Sequence, residues 1–250
     1  MGKKAEIGPN AYVDDEAEIG NNVSIGRFAE ILSGSIIGDN CIIGSRCIIG
    51  HPTKLQLQKT DFAATDPKVA GFIVKEPLTK IGEASIIRSG STIYKHVVVG
   101  KKLRTGHNVL IREHVTIGDN CIVGTGTVLD GYIRVGSGSY VAGHCYVAQS
   151  VGIGNGVFIA AGCIFSDNKT MILGQGYEGA TVEDYVRIGM GVMVLPHVTI
   201  GKHALIGSGS VVTKDIPSKA VAYGTPAKVQ RFLTDDQIRA YVNSVKAWIC

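Results

Sequence analysis

Histidine is the side chain whose ordinary pKa places proton transfer near neutral pH, and this chain carries 7 of them. His144 differs from the rest in its surroundings. It sits three residues after Val141 in Ala142-Gly-His-Cys-Tyr-Val-Ala148, and at steps of 18 residues it meets Gly126 and Asn108 on one side and Gly162 on the other. If the chain coils with that step, His144 stands on a turn beside open space that a ligand could fill. A second polar set recurs with the same step: Glu113, Gly131, Gln149 and Asp167, flanked by His96, His114, Tyr132, Ser150 and Asn168. At its top, the carboxylate of Asp167 and the amide of Asn168 could hold an amine and hydroxyls. The alternative for Asp167 is a loop-starting residue that bonds its own backbone.

The step comes from a repeat. Aliphatic or aromatic residues fall every sixth position from Ile7 to Ile49, from Ile81 to Phe165 and from Val182 to Val212, often with Gly directly after. Thr105 is the one polar member. An α-helix buries a stripe recurring at three and four residues, so this period excludes it. It suits short β-branched strands between tight turns, a hexapeptide signature of the parallel β-helix. Three hexads then form one triangular coil, and coils stack at about 4.8 Å, giving about ten of them.

Each hexad turns two residues inward, the aliphatic one and a smaller one four later. Cys41, Cys47, Cys121, Cys145 and Cys163 occupy that second slot. They read as small buried hydrophobes, although Cys145 and Cys163, 18 apart, would stack closely enough for a bridge. A reducing compartment argues against one.

The expected organisation is N-terminal coils over 1–50, an inserted proline-rich loop over 51–80, and a main β-helix over 81–213 with a loop at 166–181. A strap over 214–233 and a helix over 234–250 follow. Thr234-Asp-Asp-Gln237 is a capping-box pattern, and Ile238, Tyr241, Val242, Val245 and Ile249 keep helical spacing. That stripe must be buried on the prism or on a neighbouring subunit, and could also cover the end of the last coil. With 45% apolar residues the chain is a folded body. Its +4 charge is spread out, which does not favour a nucleic-acid partner. No apolar run suggests an export signal or membrane span, so a cytoplasmic protein is expected.

The isoleucine-glycine hexads, the run Arg187-Ile-Gly-Met-Gly-Val-Met-Val-Leu-Pro-His-Val-Thr-Ile-Gly201, the run Gly207-Ser-Gly-Ser-Val-Val-Thr-Lys-Asp-Ile-Pro217 and Gly224-Thr-Pro-Ala-Lys228 resemble the hexapeptide-repeat acyltransferases. The resemblance implies a left-handed prism, a homotrimer with intersubunit active sites, and acetyl-CoA as co-substrate in the groove between prisms. The long insertion, Arg112-Glu113-His114, and Phe165-Ser-Asp-Asn168 with the return through Gly179-Ala-Thr-Val182 look most like sugar-nucleotide N-acetyltransferases acting on 3-amino-deoxyhexoses. His144 matches the position where related sugar acyltransferases place a histidine, glutamate or asparagine, which implies the base. Asp167 and Asn168 resemble that subfamily's pattern near the reacting amine, with Ser166 where some relatives carry Asn.

For the cofactor, backbone amides of Met190 and Ser208, with room left by Gly191 and Gly209, would meet the pantetheine arm. Lys214, Lys219 and Lys228 would meet the phosphates. His107 and Arg112, with Lys101, Lys102 and Arg104, form the most basic stretch and are the expected diphosphate site, beside Glu113 and His114. No metal is expected: γ-class carbonic anhydrases share the prism and typically space two histidine ligands by four residues, whereas the nearest pairs here are His107/His114 and His197/His203. A metal lyase of that kind and an O-acetyltransferase remain the alternatives.

Overall fold

The computed structural model describes residues 2, 4–53, 79–172 and 177–249, with side chains through Ala247. Strands β1 (Glu6–Ile7) to β29 (Val211–Val212) carry the hexads, one strand each. Every strand is too short to bury a face alone, and each pairs in parallel with the strands three before and three after it. The register is 18 residues: Leu110 opposes Val128, and Val128 opposes Tyr146. Three sheets result. Sheet A starts with β1, sheet B with β2 (Tyr12–Val13) and sheet C with β3 (Glu18–Ile19), and the ten strands of sheet B count the coils.

The turns explain the sequence pattern in two ways. In Gly8-Pro9-Asn10-Ala11 the Ala11 N–H donates to the Gly8 carbonyl at 3.2 Å, and Asn10 has φ 58°. That is a type II turn, with proline at its second position and a left-handed residue at its third. The third residue after the aliphatic one is left-handed at successive corners, including His96, His114, Tyr132 and His144. Glycine directly after the aliphatic residue has another cause, close stacking: a Cβ on Gly124 would lie 2.3 Å from the Gly143 nitrogen in the next coil.

The core is a column of isoleucine, valine and the five cysteines, which are free and at most 2% exposed. Burial pushes the Cys121 thiol up to about 11. Thr105 is tolerated inside because its hydroxyl accepts the Arg88 N–H at 2.9 Å.

Both excursions leave the prism where sheet B passes to sheet C. The first begins after His51, the last residue of β8 (Ile48–His51), and ends at Thr79. Residues 54–78, most of the expected inserted loop, lie outside the described residues. Register survives both interruptions: Ile42 opposes Ile86, and Phe158 opposes Arg187.

The expected strap is a hairpin. Strand β30 (Ala220–Gly224) extends sheet A beside β28 (Leu205–Ile206), and β31 (Ala227–Phe232) returns antiparallel. Helix α1 (Asp235–Ile249) opens on the predicted capping box: Gln237 N–H donates to Thr234 Oγ1 at 3.3 Å, and Thr234 N–H donates to Gln237 Oε1 at 3.1 Å. The helix does not cover the last coil. It turns back along sheet A, where the Tyr241 hydroxyl donates to the Gly156 carbonyl at 3.1 Å and the Arg187 guanidinium lies 4.4 Å over the Tyr241 ring. The hairpin, which can continue the parallel ladder, takes the edge position instead. Among the described residues no helix is long and apolar enough to cross a membrane.

Candidate functional site

Turns stack into three corner columns, and the corners differ in filling. The first corner joins sheet A to sheet B. From the middle coils upward its left-handed positions are Asn108, Gly126, His144, Gly162, Gly191 and Gly209. His144 is exposed, and its backbone N–H donates to the Thr125 carbonyl at 2.8 Å. Its ring lies back over the coil below, where a Cβ on Gly126 would come within 2.7 Å of Nδ1. Above it the corner is bare: a Cβ on Gly162, Gly191 or Gly209 would meet nothing within 4 Å. The trough running up from His144 is therefore ~14 Å long, three coil steps.

The same corner leaves backbone donors open. On the third corner the turn N–H before the left-handed residue is often taken by a side chain one coil up, as when Lys101 N–H donates to Asp119 Oδ1 at 2.7 Å, while on the second corner the N–H groups of Glu113 and Gly131 have no partner among the described residues. On the first corner Gly143, Ala161 and Met190 hold the accepting position and have no acceptor. The N–H groups of Thr125, Gly143 and Ala161 thus have no partner among the described residues. Sequence reasoning missed these three donors, although the loss of Asp, Asn, Ser or Thr at the 18-residue step is their signal. Met190 corrects the expectation in the other direction, since its N–H already donates to Ser208 Oγ at 3.1 Å.

The second corner joins sheet B to sheet C and is crowded. Arg112 donates Nη1 to Asp130 Oδ1 at 2.7 Å, and Nη2 and Nε to the two Glu113 oxygens at 2.9 and 3.2 Å. The Tyr146 hydroxyl donates to Asp130 Oδ2 at 2.6 Å; burial and this bond push its pKa up to about 12. The rings of His96, His114 and Tyr132 stack with centroids 4.7 Å apart at each step. Burial, then the neighbouring His114 and Lys95, hold His96 below the ordinary histidine range. At the start of the second excursion Asp167 Oδ2 accepts the Gln149 N–H at 3.2 Å. Asn168 Oδ1 accepts the N–H groups of Thr170 and Met171 at 3.0 and 2.8 Å, so its amide holds the loop. The loop-starting role weighed for Asp167 belongs to Asn168.

Two expected groupings do not form within the subunit. Six residues carry the chain one third of the way round a coil, so the basic stretch faces every side. Lys101, paired with Glu83 at 2.8 Å, and Lys102 lie on the third corner, between sheets C and A. Arg104 is in sheet A. His107 is on the first corner, while Arg112, Glu113 and His114 are on the second. Two carboxylates already neutralise Arg112, which leaves it unsuited to a diphosphate. The three lysines are likewise apart: Lys214 follows sheet B, Lys219 pairs with Asp235 at 3.0 Å on the third corner, and Lys228 opposes Tyr223 in the hairpin. His144 and Asp167 stand on separate corners, as the 18-residue step predicts.

A stacked parallel prism built from six-residue units defines a hexapeptide-repeat protein. The family described as "Bacterial transferase hexapeptide (six repeats)" matches residues 16–51, 96–131 and 179–214. Those three stretches carry the hexapeptide repeat of that family. It is similar to a galactoside O-acetyltransferase of Lactococcus lactis, 49% identical over 65 residues, 26% of this chain and 31% of that protein. It is also similar to mitochondrial gamma carbonic anhydrase 2 of Arabidopsis thaliana, 40% identical over 88 residues, 34% of this chain and 32% of that one. The chain thus spans about a third of the length of these relatives. In fold it resembles the Arabidopsis UDP-N-acetylglucosamine acyltransferase, with a TM-score of 0.70 at 20% identity over 94% of this chain and 76% of that one. Among the described residues no three His, Cys, Asp or Glu side chains gather as a metal site.

Proposed function

We propose that this protein is an acyltransferase that moves an acetyl group from acetyl-CoA to the amine of a nucleotide-linked amino-deoxy sugar, at sites formed between the subunits of a homotrimer. The observation that carries this reading is the first corner, where an exposed histidine stands at the foot of a bare glycine trough with open N–H donors beside it. An extended arm with amide carbonyls suits such a trough. The thioester carbonyl would lie by His144, which takes the amine proton as nitrogen bonds to the carbonyl carbon. The carbon–sulfur bond then breaks, and the thiol leaves with a proton. Peptide N–H donors would stabilise the oxyanion between these steps.

Sheet B supports the assembly. From Leu110 upward its outward residues Leu110, Val128, Tyr146, Ile164, Met193 and Val211 form an uncharged row, whereas Arg104 and Arg187 stand on sheet A and Arg134 on sheet C. This sheet runs between the first and second corners. Packing three such faces about a threefold axis sets the first corner of one prism beside the second corner of the next. Asp167 then comes to the acceptor side of a neighbour's His144.

The acidic second corner favours an amine-bearing acceptor, because Glu113, Asp130 and Asp167 outnumber the single guanidinium of Arg112. A second reading, O-acetylation of a sugar, is supported by the likeness to the galactoside O-acetyltransferase of Lactococcus lactis. A panel of amino-sugar nucleotides and neutral sugars with acetyl-CoA, followed by free thiol release, separates the two. Turnover confined to the neutral sugars would contradict the amine reading.

A further inference from the structure

We infer that the second corner carries a base-stacking site: a flat heteroaromatic ring, the base of a nucleotide, lies on Tyr132 as the next rung of the ring column, with the Gln149 side-chain amide at its edge. The inference rests on the nucleotide-linked reading above and names where the nucleotide is held.

The ring column is set by the backbone. His96, His114 and Tyr132 occupy the same left-handed turn position in successive coils, with φ of 62°, 58° and 53°. Their centroid separations of 4.7 Å repeat the coil step, and neighbouring planes differ by 11° and 22°. The column then stops. The next residue at this position is Ser150, with the same backbone geometry at φ 62° and no ring. Tyr132 is left 57% exposed, and among the described residues the one ring stacked on it is that of His114 below. One coil higher Asn168 is tied into its loop, so among the described residues no ring takes the fourth rung beside Ser150.

The edge of that rung has a suitable reader. Gln149 precedes Ser150 and is half-buried; its backbone N–H is engaged by Asp167, but its side-chain amide has no partner among the described residues. A carboxamide presents a donor and an acceptor side by side, the pattern on the edge of a pyrimidine or purine. Base stacking on an aromatic side chain tolerates different bases, while an amide at the edge discriminates among them. The nearest cations are not offered to the rung: Glu113 and Asp130 hold Arg112, and Lys95 is buried. Recognition at this corner therefore comes from the ring and depends weakly on salt.

Calorimetric titration of the full chain with dTDP, UDP and ribose 5-phosphate tests the site without needing turnover. Tyr132→Asn removes the ring and suits the left-handed backbone; Tyr132→Phe keeps the ring. Expected are binding of both nucleotides with little salt dependence, no binding of ribose 5-phosphate, a loss of roughly tenfold or more in Tyr132→Asn, and retention in Tyr132→Phe. Unchanged nucleotide affinity in Tyr132→Asn, equal binding of ribose 5-phosphate, or no nucleotide binding by the unaltered chain would overturn the inference. The two readings fail separately. If nucleotides bind through Tyr132 while free amino sugars are acetylated as well as nucleotide-linked ones, the acceptor assignment fails and the stacking site stands. If nucleotide-linked amines are preferred and Tyr132→Asn turns them over with unchanged KM, the stacking site fails alone.

Discussion

The first and second corners are made from the same hexads and do opposite things with them. On the first, glycine, alanine and methionine at the turn positions remove side chains and acceptors, leaving a trough above His144 and open backbone donors. On the second, Glu113, His114, Asp130, Tyr132, Gln149 and Asp167 fill the equivalent positions with charges and rings that bond from coil to coil. Apart from the two excursions, which leave from the second corner, the repeat supplies the same backbone at both places, so most of the contrast lies in the side chains. A bare corner has room for an extended chain beside its peptide groups; a furnished corner offers side-chain contacts to a compact one.

Removing the histidine at the foot of the trough has the largest expected effect. His144→Ala lowers turnover by roughly a hundredfold, the low end of what a positioned acid or base supplies, with the melting temperature unchanged because the ring is exposed. Steady-state kinetics beside a thermal melt checks both halves, and near-normal turnover removes His144 from the chemistry.

Blocking the trough comes next. Gly162→Asn places a side chain that accepts the left-handed backbone into space where a Cβ meets nothing within 4 Å. The fold is expected to persist while KM for acetyl-CoA rises by about tenfold, the effect of losing about 1.4 kcal/mol of binding. Gly124→Ala provides the contrast on the same corner. Its Cβ would stand 2.3 Å from the Gly143 nitrogen, so it destabilises the fold, by about 1–3 kcal/mol as overpacking does. If both variants behave alike in denaturation, the distinction between bare and packed glycines is wrong.

On the crowded corner Arg112 is expected to matter for stability. Arg112→Ala leaves Glu113 and Asp130, each less than one-fifth exposed, without their cation. A loss of about 1–3 kcal/mol follows from leaving partly buried groups unsatisfied, measured by urea unfolding. Loss of nucleotide binding with full stability would instead restore Arg112 as a diphosphate ligand.

The smallest effect is in pH. Burial holds the His96 pKa below its ordinary value, so the folded state takes up that proton less readily than the unfolded chain. Stability is therefore intact above the unfolded histidine value of about 6.5 and declines as pH falls from there through the folded pKa. His96→Asn, suited to φ 62°, should flatten this part of the curve. Thermal melts between pH 8 and 5 read it directly, and a slope equal to that of the parent chain would assign the acid sensitivity elsewhere.

Much of this was legible beforehand because a stacked repeat turns residue number into position. The period of six located β1 to β29, and the step of 18 placed His144 under Gly162 and set Asp167 on another corner. The same step would have found Asp130 one coil above Arg112, but the basic stretch was read by closeness in sequence, which in a prism sends neighbouring hexads to different faces. Peptide donors left unpaired beside Gly143 and Ala161 have no residue type of their own, and only the missing acceptors signal them. The helix was legible in its cap and its stripe, yet a stripe names an apolar face without saying which surface receives it. Sheet A receives it, through Tyr241 and Arg187.

The division between corners becomes a statement about assembly when the two halves of the site come from different subunits. Co-expression of His144→Ala with Asp167→Ala, each impaired alone, tests it most directly. If the first corner of one subunit works with the second corner of its neighbour, random mixing restores about a quarter of the sites to an intact pair. Acetyl transfer should then recover to that level in the purified mixture. Activity no higher than that of the separate variants would contradict the shared site.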